Sequence, residues 1–164
     1  MLPNGSDDEV ANWVTDGRLY NWYAVNDARE LCPTGWHVPT DGEWTTLSDS
    51  LGGSGVAGHA MKSSSTDSPS WNGSNTSGFS ALPGGSLSGY TGNFYHEGSN
   101  GYWWSSSPYG SNHAWYRGLY SENDDVGRYD GYQRSGFSVR CVRDSGYIAA
   151  VVAGKPIAQG ARRR

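Results

Sequence analysis

The chain has 164 residues and a formal charge of −4, enough for one domain with a real core and too short for two ordinary ones. That charge and a pI near 5.4 provide no basic field for phosphate backbones, so nucleic acid is not expected as a partner. Eight Trp, eleven Tyr and three Phe must supply much of the core, and 24 Gly predict many tight turns and no long helices.

Residues 1–16 read as a polar lead-in with no signal peptide legible in Met-Leu-Pro-Asn-Gly-Ser-Asp-Asp-Glu. Arg18-Leu-Tyr-Asn-Trp-Tyr-Ala-Val25 has the aromatic and β-branched content of a first strand, covered on both faces. After the turn-rich Cys32–Pro39, Thr40 stands three residues before Glu43, the spacing of a capping box, and predicts a helix start. Trp44, Leu47 and Leu51 form its apolar stripe, and Gly52-Gly53 stop it. A second short helix is expected over Val56–Lys62, and residues 63–77 are expected to be irregular. Short aromatic strands are then predicted at Gly78–Gly85, Gly92–His96, Gly101–Ser106, Ala114–Tyr120 and Gly136–Val142, parted by Gly, Ser and Asn turns.

The pattern is that of an α+β domain over residues 17–144, with short helices, small mixed or antiparallel sheets and long Gly/Ser-rich loops. Residues 145–164 follow as a C-terminal extension, whose apolar run Tyr147–Ala153 is too short to span a bilayer and which ends in Arg162-Arg163-Arg164. No transmembrane segment is expected. Cys32 and Cys141 have no His or Asp cluster beside them, which favours a disulfide over a metal or nucleophilic role. Two buried free thiols are the alternative. A bridge implies an oxidising, extracellular or cell-surface setting.

Between Tyr116 and Ser135, thirteen of twenty residues are Tyr, Gly, Ser, Asn or Asp. Tyr supplies broad amphipathic contact with few rotatable bonds, and the small polar residues supply adaptable hydrogen bonds, the chemistry of antibody loops. The expected ligand-binding residues are Tyr109, Asn112, His113, Tyr116, Gly118, Tyr120, Asn123, Asp124, Asp125, Gly127, Tyr129, Asp130, Gly131 and Tyr132. In an extended chain Tyr116, Gly118 and Tyr120 alternate with Trp115, Arg117 and Leu119, so the first set is expected outward and the second in the scaffold. Replacing Tyr116, Tyr120, Tyr129 and Tyr132 by Ser is then expected to remove binding and leave stability nearly unchanged. Trp103, Trp104 and Trp115 sit inside strand candidates and read as core, although stacking on a sugar is the competing use of such rings. Arg117 and Arg140 read as scaffold braces.

Asn123, Asp124 and Asp125 offer oxygens but no regular calcium loop, and no metal or other cofactor is expected. His37, His59, His96 and His113 have no Ser, Cys or carboxylate at a catalytic spacing, so no enzyme activity is expected.

Taken together, Leu19–Val25, Cys32-Pro-Thr-Gly-Trp-His-Val-Pro-Thr-Asp-Gly-Glu-Trp44, Thr76-Ser-Gly-Phe-Ser-Ala-Leu-Pro-Gly-Gly85, Tyr102-Trp-Trp-Ser-Ser106 and Gly136-Phe-Ser-Val-Arg-Cys-Val-Arg-Asp144 closely resemble the Fibrobacter succinogenes major paralogous domain. The resemblance implies a C-type-lectin-like fold in which the chain ends meet and a long loop region presents the ligand; a Cys32–Cys141 bridge fits that topology. The segment after Tyr102-Trp-Trp also resembles the variable region of proteins diversified by retroelements, where misread template adenines turn Asn codons into Tyr, Asp, His, Ser or Gly. Those resemblances imply recognition of a protein or cell-surface ligand, with a carbohydrate-binding module as one alternative and an enzyme of the sulfatase-activating type as the other. The Glu-Pro-Asn and Gln-Pro-Asp signatures of calcium-dependent sugar binding are absent from the sequence. The oligomeric state is not legible.

Overall fold

The structure is a computed structural model, described here for residues 17–144. The lead-in 1–16 and the extension 145–164 lie outside the described residues. Three short helices, α1 (Trp22–Val25), α2 (Asp41–Ser50) and α3 (Ala57–Met61), precede most of the strands. The strands are β1 (Trp36–His37), β2 (Gly84–Leu87), β3 (Phe94–Glu97), β4 (Asn100–Tyr109), β5 (His113–Tyr120), β6 (Val126–Tyr132) and β7 (Val142–Arg143). The fold is α+β, with a five-stranded mixed sheet ordered β3-β2-β4-β5-β6 and a two-stranded sheet β1-β7.

The capping box forms as the sequence predicts. Thr40 Oγ1 accepts from the Glu43 amide while the Glu43 carboxylate accepts from the Thr40 amide, so two donors at the helix start are satisfied reciprocally. Trp44 is buried, and Leu47 and Leu51 pack behind it. The second helix also forms, one residue inside each predicted end.

Four expectations change. Gly78–Gly85 is not a strand: Ala81 makes an isolated bridge to Lys62 and pairing proper starts only at Gly84. Arg18–Val25 is not a strand: only Tyr20 pairs, with Phe137, and Asn21 then caps α1 by accepting from the Ala24 amide. The turn of helix buries Trp22 and lets its indole donate to the Ser105 carbonyl, a bond that an extended chain with Trp22 facing sideways would forgo. Gly136–Val142 is likewise no continuous strand, making isolated bridges from Gly136, Phe137 and Ser138 before the chain reaches β7. In its place β6 emerges from the Gly- and Tyr-rich stretch, paired with β5 from Leu119↔Val126 to His113↔Tyr132.

Both faces of the sheet are covered. On one face Trp103, Leu119 and Val126 pack with Trp44, Met61 and Trp71 from the helical side. On the other, Tyr102, Trp104 and Ala114 pack with Trp22 and Phe137. Three more buried indoles keep hydrogen-bond partners, Trp44 to the Trp104 carbonyl, Trp104 to the Tyr20 carbonyl and Trp71 to Ser121 Oγ, so their aromatic area is buried without orphaning those donors.

Cys32 and Cys141 are joined in a disulfide across 109 residues, next to the pairing of Trp36–His37 with Arg143 and Val142. The early segment is thereby tied to the last strand. His37 fastens the same junction, its Nδ1 2.6 Å from Asp144 and its Nε2 2.9 Å from Glu43. Hydrogen bonds to those two carboxylates raise its pKa above the ordinary histidine value.

Candidate recognition surface

Strand register divides the expected site between two faces, because directly paired residues point the same way. His113, opposite both Tyr109 and Tyr132, shares a face with Trp115, Arg117 and Leu119. Tyr116, paired with Tyr129, shares the opposite face with Gly118, Gly127 and Gly131. The two faces meet along β6, one edge of the sheet.

On the first face, Tyr109, Tyr132 and His113 form an aromatic cluster at one end of the strands. The His113 and Tyr132 rings are 4.2 Å apart, and Tyr109 meets Trp115 at 4.6 Å. Tyr109 and Tyr132 are 48% and 45% exposed, with Asn112 at the adjoining turn. Arg128 lies 3.6 Å over the Trp115 ring and reaches Asp41 with both Nε and Nη2.

The same Asp41 accepts from Arg117 Nη1 at 2.7 Å, and Arg117 Nη2 bonds the Asp41 carbonyl and Thr45 Oγ1. Arg117 is 2% exposed and is a scaffold brace as predicted. Burial works to raise the Asp41 pKa, but bonds from Arg128 and Arg117 outweigh it and hold the carboxyl below its usual value. Two cations thus lock the start of α2 onto β5 and β6.

The second face departs from the expectation that Tyr116 and Tyr120 point to a ligand while their neighbours alone anchor. Both rings pack against the core cluster of Trp22, Tyr102, Trp104, Ala114 and Phe137. Tyr116 stands 4.6 Å from Phe137 and 6.2 Å from Trp104, centroid to centroid. Burial pushes its phenol up to about 12, helped by the nearby Tyr102, Tyr129 and Asp130. Burial and a bond with the Tyr129 phenol push Tyr120 well above the usual range. Because segment 136–138 and α1 cover this face, alternation along β5 does not separate core from surface.

Gly118 and Gly127 are paired in register and form a floor for these rings. A Cβ on Gly118 would come within 2.4 Å of Tyr120 Oη, and one on Gly127 within 2.4 Å of the Tyr129 ring. Gly131 similarly sits under Tyr116 and Phe137. These glycines allow close approach of the rings. Tyr129, 49% exposed, is the tyrosine of this face that reaches solvent, beside the exposed Asp130.

Asn123, Asp124 and Asp125 are not part of either cluster. They lie in the turn between β5 and β6, roughly 25 Å from Asn112 by the rise of an eight-residue strand. Gly58 N–H donates to the Asp124 carbonyl, and the fully buried Lys62 donates Nζ to the carbonyls of Tyr120 and Asn123 and to Asp124 Oδ1. That turn is held to α3 as scaffold, which no local sequence pattern around a single lysine reveals.

Aromatics outside the expected set join the surface. Tyr90, at 78% exposure, lies in the turn after β2, and the Arg134 guanidinium sits 4.7 Å from its ring and 5.4 Å from that of Tyr132. Phe94 and Tyr95 on β3 are also exposed. An aromatic set between Gly89 and Gly92 is the local signal for Tyr90; its proximity to Tyr132 depends on the strand order.

A family model matches residues 4–143, described as the Fibrobacter succinogenes major domain. The chain belongs to that family. The match takes in the β4-β5-β6 surface, the capped α2 and Cys32 and Cys141 within one unit. Neither the curated proteins nor the solved structures yield a match. Among the described residues of this Fibrobacter succinogenes major domain, no helix is long and apolar enough to cross a membrane.

Proposed function

We propose that the domain is a non-catalytic recognition module of C-type-lectin-like type, displayed outside the cell and binding a protein or cell-surface ligand through Tyr109, His113, Tyr129, Asp130 and Tyr132. The observation carrying this reading is the half-exposure of Tyr109, Tyr129 and Tyr132 on a sheet whose Trp103 and Trp104 are buried, the latter with its indole bonded to the Tyr20 carbonyl. A rigid scaffold lowers the ordering cost of binding, and exposed aromatic anchors supply contact area at little entropic loss. The Cys32–Cys141 bridge suits an oxidising compartment.

Diversification of the exposed positions would change specificity while the glycine floor and the Arg117–Asp41 brace stay constant. This reading divides the Tyr/Gly/Asp alphabet into varied contacts and fixed packing. Sequencing variants of the locus over codons 109–135 tests it. Substitutions clustered at 109, 113, 129, 130 and 132 beside an adenine-rich repeat support a retroelement-diversified receptor; an invariant locus supports one fixed partner.

Labelled domain applied to a panel of intact cells tests recognition itself. Binding should be removed by the joint replacement of Tyr109, Tyr129 and Tyr132 with Ser and by protease treatment of the cells. Loss on periodate oxidation or competition by free sugar would instead identify a carbohydrate-binding module.

A further inference from the structure

A second candidate site lies away from the tyrosines. A groove of about 370 Å³ is lined by Arg18, Tyr20, Phe79, Ser80, Leu82, Trp103, Ser138 and Arg140 among others. This volume falls at the lower end of ordinary small-ligand sites. Arg140 is half-buried, and its guanidinium stacks 4.5 Å from the centre of the Phe79 ring. It forms no hydrogen bond or ion pair among the described residues, in contrast to Arg117 and Arg128, which share Asp41. Burial lowers the pKa of Arg140, with no carboxylate among the described residues acting in the other direction. A partly desolvated cation with unused donors is costly unless an anion completes it.

The groove wall is prepared for such an anion. Ser80 has φ +54°, a left-handed conformation that a serine rarely adopts, and Asn75 holds it there by accepting from its amide and donating to its Oγ. Ser80 Oγ therefore keeps its own proton to donate. Ser138 lies beside Arg140, its backbone committed to Tyr102 and Trp104 and its position fixed against β4. Phe79, Trp103 and Tyr20 supply the apolar walls.

We infer that this groove binds a small organic carboxylate, its oxygens taken by the Arg140 fork and the Ser80 and Ser138 hydroxyls and its apolar part held by Phe79 and Trp103. The paired donors of a guanidinium match a carboxylate in plane. The carboxylate can belong to a free acid or to the C-terminus of a peptide. The site stands independently of the recognition surface, and the two readings fail separately.

The test is titration of the full, disulfide-intact, 15N-labelled chain with phenylacetate, phenylacetamide, inorganic phosphate, and the peptide Ala-Ala-Ala-Phe with a free or an amidated C-terminus. Saturable shifts are expected at the amides of Ser80, Ser138, Val139 and Arg140 with phenylacetate, with neither phenylacetamide nor phosphate producing them. Matching shifts from the free-ended peptide and none from its amide identify a peptide terminus as a source; shifts from phenylacetate alone identify a free acid. Arg140→Gln should weaken binding about tenfold or more, consistent with loss of a charge-assisted pair. Should that variant fail to fold, Arg140→Lys and Ser138→Ala should each weaken binding several-fold at an unchanged melting temperature. Tyr129→Ser should leave it intact. Equal binding of acid and amide, preference for phosphate, or full affinity in folded Arg140 and Ser138 variants would overturn the assignment.

Discussion

Replacing Tyr116 by Ser should destabilise the domain much more than replacing Tyr129 by Ser, although the two residues are direct partners across β5 and β6. The Tyr116 ring contacts the rings of Tyr102, Trp104, Tyr129 and Phe137, at centroid distances of 6.0, 6.2, 5.8 and 4.6 Å. Truncating a fully buried large aromatic costs about 3–5 kcal/mol, and each aromatic pair adds about 0.5–1.5 kcal/mol beyond area. Half-burial reduces the first amount and the number of ring contacts restores part of it, giving an expected loss of roughly 2–3 kcal/mol. For a domain of this size that corresponds to a fall of about 8–12 °C in melting temperature. Tyr129→Ser, at a half-exposed ring, should cost no more than about 1 kcal/mol. Calorimetry of both variants with the disulfide intact makes the comparison. Alkaline difference spectroscopy adds an independent readout, since Tyr116→Phe should remove a phenol titrating near 12. Equal melting temperatures for the two Ser variants, or a Tyr116 phenol titrating with the exposed tyrosines, would refute this account of the second face.

Further perturbations address the scaffold. Asp41→Asn leaves the buried Arg117 without its counter-charge and should cost about 3–5 kcal/mol in denaturant unfolding, whereas Arg128→Gln, on the exposed side, should cost about 1 kcal/mol or less. Reduction of the Cys32–Cys141 bridge, or Cys141→Ala, opens a 109-residue separation and should lower stability by up to roughly 4–5 kcal/mol; equal melting temperatures with and without reductant would remove the bridge from the argument. The raised pKa of His37 sets the sign of a pH effect: its contribution is fully present below the unfolded value of 6.5 and is lost as pH rises through the folded value. Glu43, whose pKa is held down against burial by the Thr40 backbone and His37, contributes above its unfolded value of 4.5 and loses that contribution as pH falls through the folded one. The pair is therefore strongest between those two unfolded values, and His37→Gln should flatten the decline in melting temperature on the alkaline side.

Local chemistry was legible wherever the determinant lies within a few residues. Thr40 and Glu43 announce the helix start because a capping box is complete in four positions. β4 and β5 follow from their aromatic runs, Tyr102-Trp-Trp104 and Trp115-Tyr116. Asn21 misleads, since one residue can serve as a strand member or a cap, and the choice rests on the Ser105 carbonyl that receives the Trp22 indole, 83 residues away. β6 was hidden because Gly, Tyr and Asp suggest a loop, yet ladder pairing with β5 overrides weak local preference.

The sequence by itself determined the aromatic core, the capped helix, the family membership carried by its motifs and the concentration of Tyr, Gly and Asp in one stretch. Only the tertiary structure decided which of those residues face solvent. A period of two assigns alternate residues to opposite faces but cannot say how many faces are covered. Here α2 and α3 cover one and Phe137 with α1 the other, so Tyr116 and Tyr120 are drawn into the core while Tyr109, Tyr129 and Tyr132 remain at the margin. The same long-range packing left Arg140 on a groove with no acid among its described lining residues, a consequence of which charges meet and not of which charges the chain contains.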